Sequence, residues 1–443
     1  GPNRPVFPDH VRAEMVASLE SVDWVVISQA ASADPVLEAI RPDVYAKGKE
    51  YAVDEDDVTG KIVSERETVE GGGGRVIFTD GVTFSSSSLL NKHFNIYDPM
   101  LQQHLDLLRR GGGLDRLTGA LEKMQDFRVL VIGDVIIDDY QYVSPLGKAT
   151  KENIIATQHQ KGETFAGGVV ATANHLASFC REVEVLTCLG SENSYEDLVN
   201  NSIKPNVKLT AVIKDGAPTT RKCRYIDHGY TMRKLFEVCY LDDTPMADNR
   251  QQELDQIIRE KAPDFDLVVM ADFGHGLISP STIETATEAA RFLAVNTQTN
   301  SANYGFNLIS KYSRTDFICI DQPEARLAVA DRFSDLPTIV SDRLPNIIDC
   351  NKIIVTAGKH GCYVYEGDGQ ANHVPGLTNT IVDTIGAGDA FFAVSAPAVA
   401  AGASISDAGF IGNAAGGLMV GIIGHRSSVD KATLIKFITA LLK

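Results

Sequence analysis

The chain has 443 residues, 44% hydrophobic and 22% charged, which argues against bulk disorder and for two or three globular domains. With 58 acidic against 41 basic residues its net charge is −17, so nonspecific binding to nucleic acid or anionic membrane is disfavoured and an anionic substrate needs a locally basic pocket. Seven scattered cysteines without C-x-x-C spacing point to a reduced, cytoplasmic protein with no zinc site; no apolar run approaches the roughly 18 residues of a membrane span, and no signal peptide is visible.

Residues 1–93 alternate short apolar runs with helical ones, the pattern of a parallel sheet covered by helices. Asp9 to Leu19 places Val11, Met15, Val16 and Leu19 on one helical side. Val22 to Ile27 reads as a buried strand, Pro35 to Ile40 as a short helix, and Asp43 to Lys47 as a strand running into Gly48. The glycines at 71–74 break the chain before a strand from Arg75 to Phe78. Lys47, at a strand end, can set a cation against a triphosphate. Ser85, Ser86 and Ser87 open a helix and offer hydroxyls and N–H groups to phosphate.

Residues 94–126 read as a connector. Leu101, His104, Leu105 and Leu108 have helical spacing, Gly111 to Gly113 stop that helix, and Leu114, Leu117, Leu121 and Met124 resume the period. Residues 127–443 read as one large α/β unit. Val129 to Ile132, Val183 to Leu186, Leu267 to Met270, Phe317 to Ile320 and Ile353 to Val355 are buried-strand runs separated by helical stretches. Around 141–165 and 219–241 the pattern is shorter and more polar, as in a small sheet lying over a site. The exposed edges of such a lid are satisfied by pairing with a second copy, so a homodimer is expected.

The chemistry concentrates in Asp383-Thr384-Ile385-Gly386-Ala387-Gly388-Asp389. The small turn Gly386-Ala387-Gly388 lets backbone N–H groups approach a phosphate, and a helix starting there adds partial positive charge. Asp389 then sits at the anion site, where a base takes a proton from an attacking hydroxyl. Anion cradle plus base is what phosphoryl transfer to an alcohol needs. Two more features are chemically legible. Lys222 and Arg224 supply the local positive charge that an acidic protein needs for an anionic ligand. Asp321 and Glu324, three apart after a buried strand, suit a hard cation.

The seven-residue segment resembles the D-T-x-G-A-G-D signature of PfkB/ribokinase-family sugar kinases, and the resemblance extends over nearly all of 127–443. It implies a ribokinase-like doubly wound sheet with a small β lid, and an ATP- and Mg²⁺-dependent kinase, with a monovalent cation as a further option. Asp134 and Asp138 match the family's early G-D-x-x-x-D segment, which holds sugar hydroxyls; carboxylates suit polyols because each oxygen accepts from a hydroxyl. Gly167 and Gly168 match the G-G that opens a helix beneath the sugar, but the Asn expected three positions on is Ala171. Asp272 and His275 match the D-Y-x-K-G turn of heptose kinases with His for Lys. Gln298 lies where those kinases have D-P-K. Asp321 and Glu324 match N-x-x-E, the magnesium-orienting motif. Thr356, Gly358 and Gly361 match the nucleotide-side turn, and Asn413 to Gly416 with Gly424-His425 complete the adenine pocket.

Residues 1–93 resemble the C-terminal part of the cytidylyltransferase-like domain of heptose-1-phosphate adenylyltransferases, through Arg41-Pro42-Asp43-Val44-Tyr45-Ala46-Lys47-Gly48 and Phe84-Ser85-Ser86-Ser87 among others. That implies a partial Rossmann-like nucleotidyltransferase domain in which Lys47 and Ser85 to Ser87 bind nucleotide. The family's H-x-G-H occurs nowhere in the chain, and Gly1-Pro2-Asn3-Arg4-Pro5 aligns with an internal stretch. About 60 further residues are therefore expected upstream, judged from ordinary domain sizes, and the chain alone is not expected to transfer nucleotides. The two resemblances together imply a bifunctional enzyme that phosphorylates heptose 7-phosphate at the anomeric hydroxyl and then activates the product. A kinase for another sugar or nucleoside, and a non-catalytic sugar sensor or scaffold, are the alternatives.

Overall fold

A computed structural model of the chain describes residues 7–28, 30, 32–48, 61–79, 97–227, 229, 232–367, 369–378 and 381–443. By its internal contacts the chain divides into two units: Asp115–Asp430, and Gly1–Leu114 together with Lys431–Lys443.

The Asp115–Asp430 unit is built on a nine-stranded sheet and a four-stranded one. The large sheet contains β3 (Arg128–Gly133), β6 (Glu182–Glu192), β7 (Val207–Pro218), β10 (Leu267–Asp272), β11 (Leu293–Thr297), β12 (Phe317–Asp321), β13 (Lys352–Thr356), β14 (Cys362–Glu366) and β15 (Asn372–Val374). Their spatial order is β15-β14-β13-β12-β11-β10-β3-β6-β7, parallel from β13 to β7 and antiparallel at β14 and β15. Helices cover such a sheet on both faces, so its central strands are apolar throughout rather than alternating. Every residue of β10 is buried, as are all of β3 beyond Arg128. Of these strands, β7, β11, β14 and β15 are not evident from periodicity; β11 is five residues long and ends in Asn296-Thr297.

The smaller sheet has the order β5-β4-β8-β9, with β4 at Val135–Lys148, β5 at Ile155–Gly168, β8 at Arg221–Asp227 and β9 at Arg233–Tyr240. This is the expected lid. β4 begins two residues after β3 ends, so the first large-sheet strand feeds straight into the lid. The strands β3, β10, β11, β12 and β13 all run parallel and end on the same side of the large sheet. In open α/β sheets the crevice outside the carboxyl ends of the strands is where ligands bind.

In the other unit, β1 (Val44–Gly48) and β2 (Arg75–Thr79) pair in parallel and are joined through the helix Lys61–Gly71. Helices occur at Asp9–Ala17 and Asp34–Ile40, as expected. The run Val22 to Ile27 is not a strand: it has no regular structure, and Trp24, Val26 and Ile27 are 90%, 62% and 46% exposed. An apolar β-prone run forms a strand only when a neighbour completes its hydrogen bonds and covers one face, and among the described residues none pairs with it. The helix Pro99–Arg110 is capped by Asp98, whose side chain accepts from Leu101 N at 3.0 Å. The Arg109 guanidinium of that helix donates to Leu441 O (2.7 Å) and Leu442 O (3.3 Å), satisfying carbonyls left open at the end of the helix Lys431–Leu442. No helix among the described residues is long and apolar enough to cross a membrane.

Candidate active site

The segment 383–389 forms the floor of the crevice. Gly386 has φ +77° and caps the helix Ala387–Ala400. A side chain is excluded there twice over: by the left-handed backbone, and because a Cβ would lie 2.7 Å from Cε1 of His425. The N–H groups of Gly388 and Asp389 donate to no protein acceptor among the described residues. They belong to the helix's first turn, where backbone N–H groups and the helix dipole favour an anion.

Asp383 holds this floor in place. Its side chain is 1% exposed and accepts from Lys234 Nζ on β9 (2.8 Å), Tyr140 Oη on β4 (2.8 Å), Gly424 N (3.0 Å) and Ile385 N (3.2 Å). Burial works to raise the Asp383 pKa, but the Lys234 bond and the other donors outweigh it, and the group stays below the ordinary carboxylate value.

Two cavities meet at the turn. The first, of about 300 Å³, is lined by Asp138, Lys222, Gln298, Asp389 and His425 among others. The second, of about 390 Å³, is lined by Gly358, Gly361, Leu377, Asn413 and Gly416 among others. Asp321, Thr356, Thr384 and Gly388 belong to both walls. This is the geometry of a transfer reaction, with an acceptor side and a donor side joined across the anion turn.

On the acceptor side Asp389 is half-buried and receives a hydrogen bond from Gln298 Nε2 at 2.8 Å. Burial raises its pKa above the ordinary carboxylate value against the pull of His425 and the Gln298 bond, which makes it a stronger base once deprotonated. Asp138 binds His425 Nε2 at 3.1 Å and the Arg224 guanidinium. Burial opposes its charge, but His425 and Arg224 prevail and hold its pKa at about 2. Gly167 is required beside it, since a Cβ there would collide with Asp138 Oδ2. Gly168 also lines the cavity. Arg224 is not a free cation: it also pairs with Glu237 at 2.7 Å. Lys222 is buried in the wall and makes no salt bridge among the described residues, though its charge acts on Asp389.

Asp321 and Glu324 form a reciprocal capping box. The Asp321 side chain accepts from Glu324 N (2.8 Å), and Glu324 accepts from Asp321 N (2.8 Å) and Thr299 N (2.9 Å). Burial and the Asp321 charge push the Glu324 pKa up to about 8. No group of three or more potential ligands surrounds a metal position among the described residues. Two desolvated carboxylates, Asp321 in both cavity walls and Glu324 in the first, nevertheless fit a hard cation that completes its shell with water and phosphate oxygens.

Asp134, Asp272 and His275 are not brought to the cavity wall. All three are buried. Asp134 accepts from His275 N at 3.4 Å. Asp272 binds Lys311 Nζ (2.5 Å), Tyr312 Oη (2.7 Å) and Asn307 Nδ2 (3.1 Å). His275 Nδ1 pairs with Asp243 at 2.9 Å. Their polar atoms tie the turn after β10 to its neighbours. Gln298 does line that cavity, but its amide donates to Asp389. Asn413 lines the donor cavity and also ties down Val374 O and Pro375 O. His425 belongs with the acceptor wall rather than the adenine pocket. Sequence reading did not single out Asp383, although it is the first residue of the motif. In the other unit Lys47 is ion-paired to Glu65 at 2.6 Å; Ser85, Ser86 and Ser87 lie outside the described residues.

The buried Asp383 generates a stability prediction. Asp383→Asn keeps the shape but turns amide hydrogens toward Gly424 N or Lys234, and the loss is about 1–3 kcal/mol for groups left unsatisfied. Because the folded-state pKa is depressed, the carboxylate's contribution is complete above its unfolded pKa and drains away as pH falls through the folded one. Urea denaturation should therefore separate wild type from variant at neutral pH and bring them together in acid; equal stability at pH 7 would contradict the role assigned to Asp383.

The model of the pfkB family carbohydrate kinase matches residues 126–432. The bifunctional protein HldE of Hyphomonas neptunium is 26% identical over 314 residues, covering 70% of this chain and 63% of that protein. The protein of the same name from Bradyrhizobium diazoefficiens is 26% identical over 303 residues, covering 67% and 60%. The chain thus spans less than two thirds of the length of these curated relatives. Among solved structures, phosphofructokinase-2 from Escherichia coli superposes with a TM-score of 0.56 at 15% identity, covering 72% of this chain and 100% of that one. A ribokinase from Thermotoga maritima gives 0.55 at 18% identity, covering 71% and 99%. These two likenesses establish a ribokinase-like α/β fold. With more than half its length matched by the family model, the chain belongs to the pfkB family of carbohydrate kinases.

Proposed function

We propose that this chain transfers the γ-phosphoryl group of ATP to the anomeric hydroxyl of a sugar phosphate, with a heptose 7-phosphate as the leading acceptor. The observation that carries the reading is the anion turn Gly386–Gly388 at the meeting point of two cavities, with Asp389 beside it on the acceptor side. Asp389 takes the hydroxyl proton. The hydroxyl oxygen forms its bond to the γ-phosphorus as the bond from that phosphorus to the bridging oxygen of ADP breaks. The unpaired N–H groups of Gly388 and Asp389 meet the charge on the transferred group, where fixed donors contribute most. Gln298 orients the base, and Asp138 is the ionised carboxylate available to sugar hydroxyls. Lys222, buried in the wall and in no salt bridge among the described residues, supports an acceptor that carries a phosphate. Mg²⁺ near Asp321 and Glu324, when bound, neutralises triphosphate charge.

The heptose assignment rests on the turn Ala271-Asp272-Phe273-Gly274-His275-Gly276 and on the similarity to bifunctional HldE proteins. For the amino-terminal part, the parallel β1–β2 pair with its crossover helix and Lys47 at the end of β1 support a nucleotidyltransferase-like role. There a phosphate has to compete with Glu65 for the lysine.

Asp389→Asn should lower the kinase kcat by about 10²–10⁴ while ATP binding persists, the usual worth of a general base. The wild-type rate should fall on the acid side at a pH above the ordinary carboxylate range, because the base must be deprotonated and its pKa is raised. A panel of phosphorylated and plain sugars, read by mass spectrometry of the products, tests the acceptor. A variant within a few-fold of wild type removes Asp389 from the mechanism, and turnover of plain sugars alone removes the sugar phosphate.

Glu324→Gln should raise the Mg²⁺ concentration needed for half-maximal rate; an unchanged titration would place the metal elsewhere. We also propose that the lid pairs with a second copy. β9 lies at the sheet edge and all but one of its residues are exposed, with Phe236 at 52% and Tyr240 at 49%. Light scattering at micromolar concentration should give twice the chain mass, and a monomer there would refute the pairing without touching the kinase assignment.

A further inference from the structure

His425 stands on the loop that follows the helix Ile405–Met419, and its side chain is 7% exposed. Gly424, just before it, has φ +51° and donates its N–H to Asp383. The loop is therefore anchored to the same carboxylate that anchors the anion turn. One face of the ring is committed: Nε2 binds Asp138 Oδ2 at 3.1 Å. The other nitrogen is not. Nδ1 is buried and has no hydrogen-bond partner among the described residues, and a Cβ built on Gly386 would lie 3.0 Å from it. Nδ1 therefore abuts the turn whose own N–H groups at Gly388 and Asp389 also lack acceptors.

The charges around the ring favour imidazolium. Asp138 on β4 is ionised, and Asp389 on the helix Ala387–Ala400 adds to the pull. Arg224 on β8 opposes it, as does burial, which is the largest effect; on balance the His425 pKa is raised. His175, on the helix Val169–Leu176, is held neutral by burial, its pKa pushed down to about 3, and accepts from Val429 N. In its protonated form the ring carries a buried N–H at Nδ1 that is unsatisfied without a ligand. Unpaired donors on the ring and on the adjoining turn fit a group with several oxygens.

We propose that His425 is a further catalytic residue, its Nδ1–H donating to a nonbridging oxygen of the phosphoryl group held at the Gly386 turn. The proposal rests on the kinase reading of the site. His425 keeps its proton throughout: the proton released by the acceptor hydroxyl goes to Asp389, the oxygen–phosphorus bond forms, and the bond to ADP breaks. Through Nε2 the same ring orients Asp138, so the acceptor and the transferred group are positioned by one side chain.

The test uses the full chain with ¹⁵N-labelled histidine and its variants His425→Gln and His425→Asn, compared at equal thermal stability. ADP, Mg²⁺ and aluminium fluoride together mimic the transferred phosphoryl group without any sugar. They should bring one imidazole Nδ1–H into slow exchange with a downfield shift; ADP and Mg²⁺ alone should not, and His425→Gln should lack the signal. In turnover, His425→Gln, which keeps a donor only near Nε2, should lose about 10²–10³ in kcat, as on removal of one oxyanion donor, with little change in KM for ATP. His425→Asn, with its amide nitrogen near the place of Nδ1, should retain more kcat and weaken the acceptor's KM. A histidine spectrum blind to aluminium fluoride, or a Gln variant faster than the Asn variant, overturns the proposal. Failure of wild type to phosphorylate any sugar overturns the kinase reading instead, and the fluoride experiment still decides the role of His425.

Discussion

A single buried carboxylate, Asp383, carries the geometry of the site. It accepts from Lys234 on β9, Tyr140 on β4, Ile385 N at the start of the anion turn and Gly424 N on the loop before His425. Four segments distant in sequence thereby converge on one point. A buried charge is costly unless its lone pairs are filled, and a network in which every member is satisfied is rigid for the same reason. Each donor that reaches Asp383 thus serves two ends: it compensates the charge, and it fixes the segment it comes from. The lid, the turn and the His425 loop are held to one another through that requirement.

The second constraint is charge. The chain is strongly acidic overall, yet its central cavity has to hold phosphate. It does so with few formal cations. Arg224 is spent on Asp138 and Glu237, which leaves Lys222 and His425 with the backbone N–H groups of the helix start. Backbone donors supply anion binding without a full counter-charge, and their positions are set by the fold rather than by flexible side chains. The carboxylates of the same cavity are differentiated by their neighbours. Asp138, beside His425 and Arg224, is held down; Asp389, which has Gln298 as its hydrogen-bond donor, is raised; Glu324, against Asp321, is also raised. Environment thus gives one functional group three different characters, which the proposed function uses as a sugar-facing acceptor, a base and a cation-seeking pair.

Much of this was legible in the amino acids. Asp383 to Asp389 disclosed the small-residue turn at a helix start because the relevant donors are backbone groups of consecutive residues, and a small-residue run exposes them wherever it lies. Continuous apolar runs such as Val129 to Ile132 and Leu267 to Met270 announced the central strands because both faces of a parallel sheet are buried. The polar character of 141–165 and 219–241 announced the lid. Local pattern misled where a strand depends on a partner: Val22 to Ile27 has the composition of a strand but no neighbour among the described residues.

Composition and motif therefore determined the fold class and marked the small-residue turn and the carboxylate beside it, since each is written in contiguous residues. Only the tertiary structure decided which carboxylates face the cavity. Asp134 and Asp138 are four apart at the start of the lid, yet one ties down the turn after β10 and the other meets Arg224 and His425. Gln298 became the orienter of Asp389, and His425 left the nucleotide side for the acceptor wall, through contacts between residues far apart in the chain. Those roles depend on which buried polar atoms find each other once the sheets are assembled, and a contact of that kind leaves no local trace in the order of the residues.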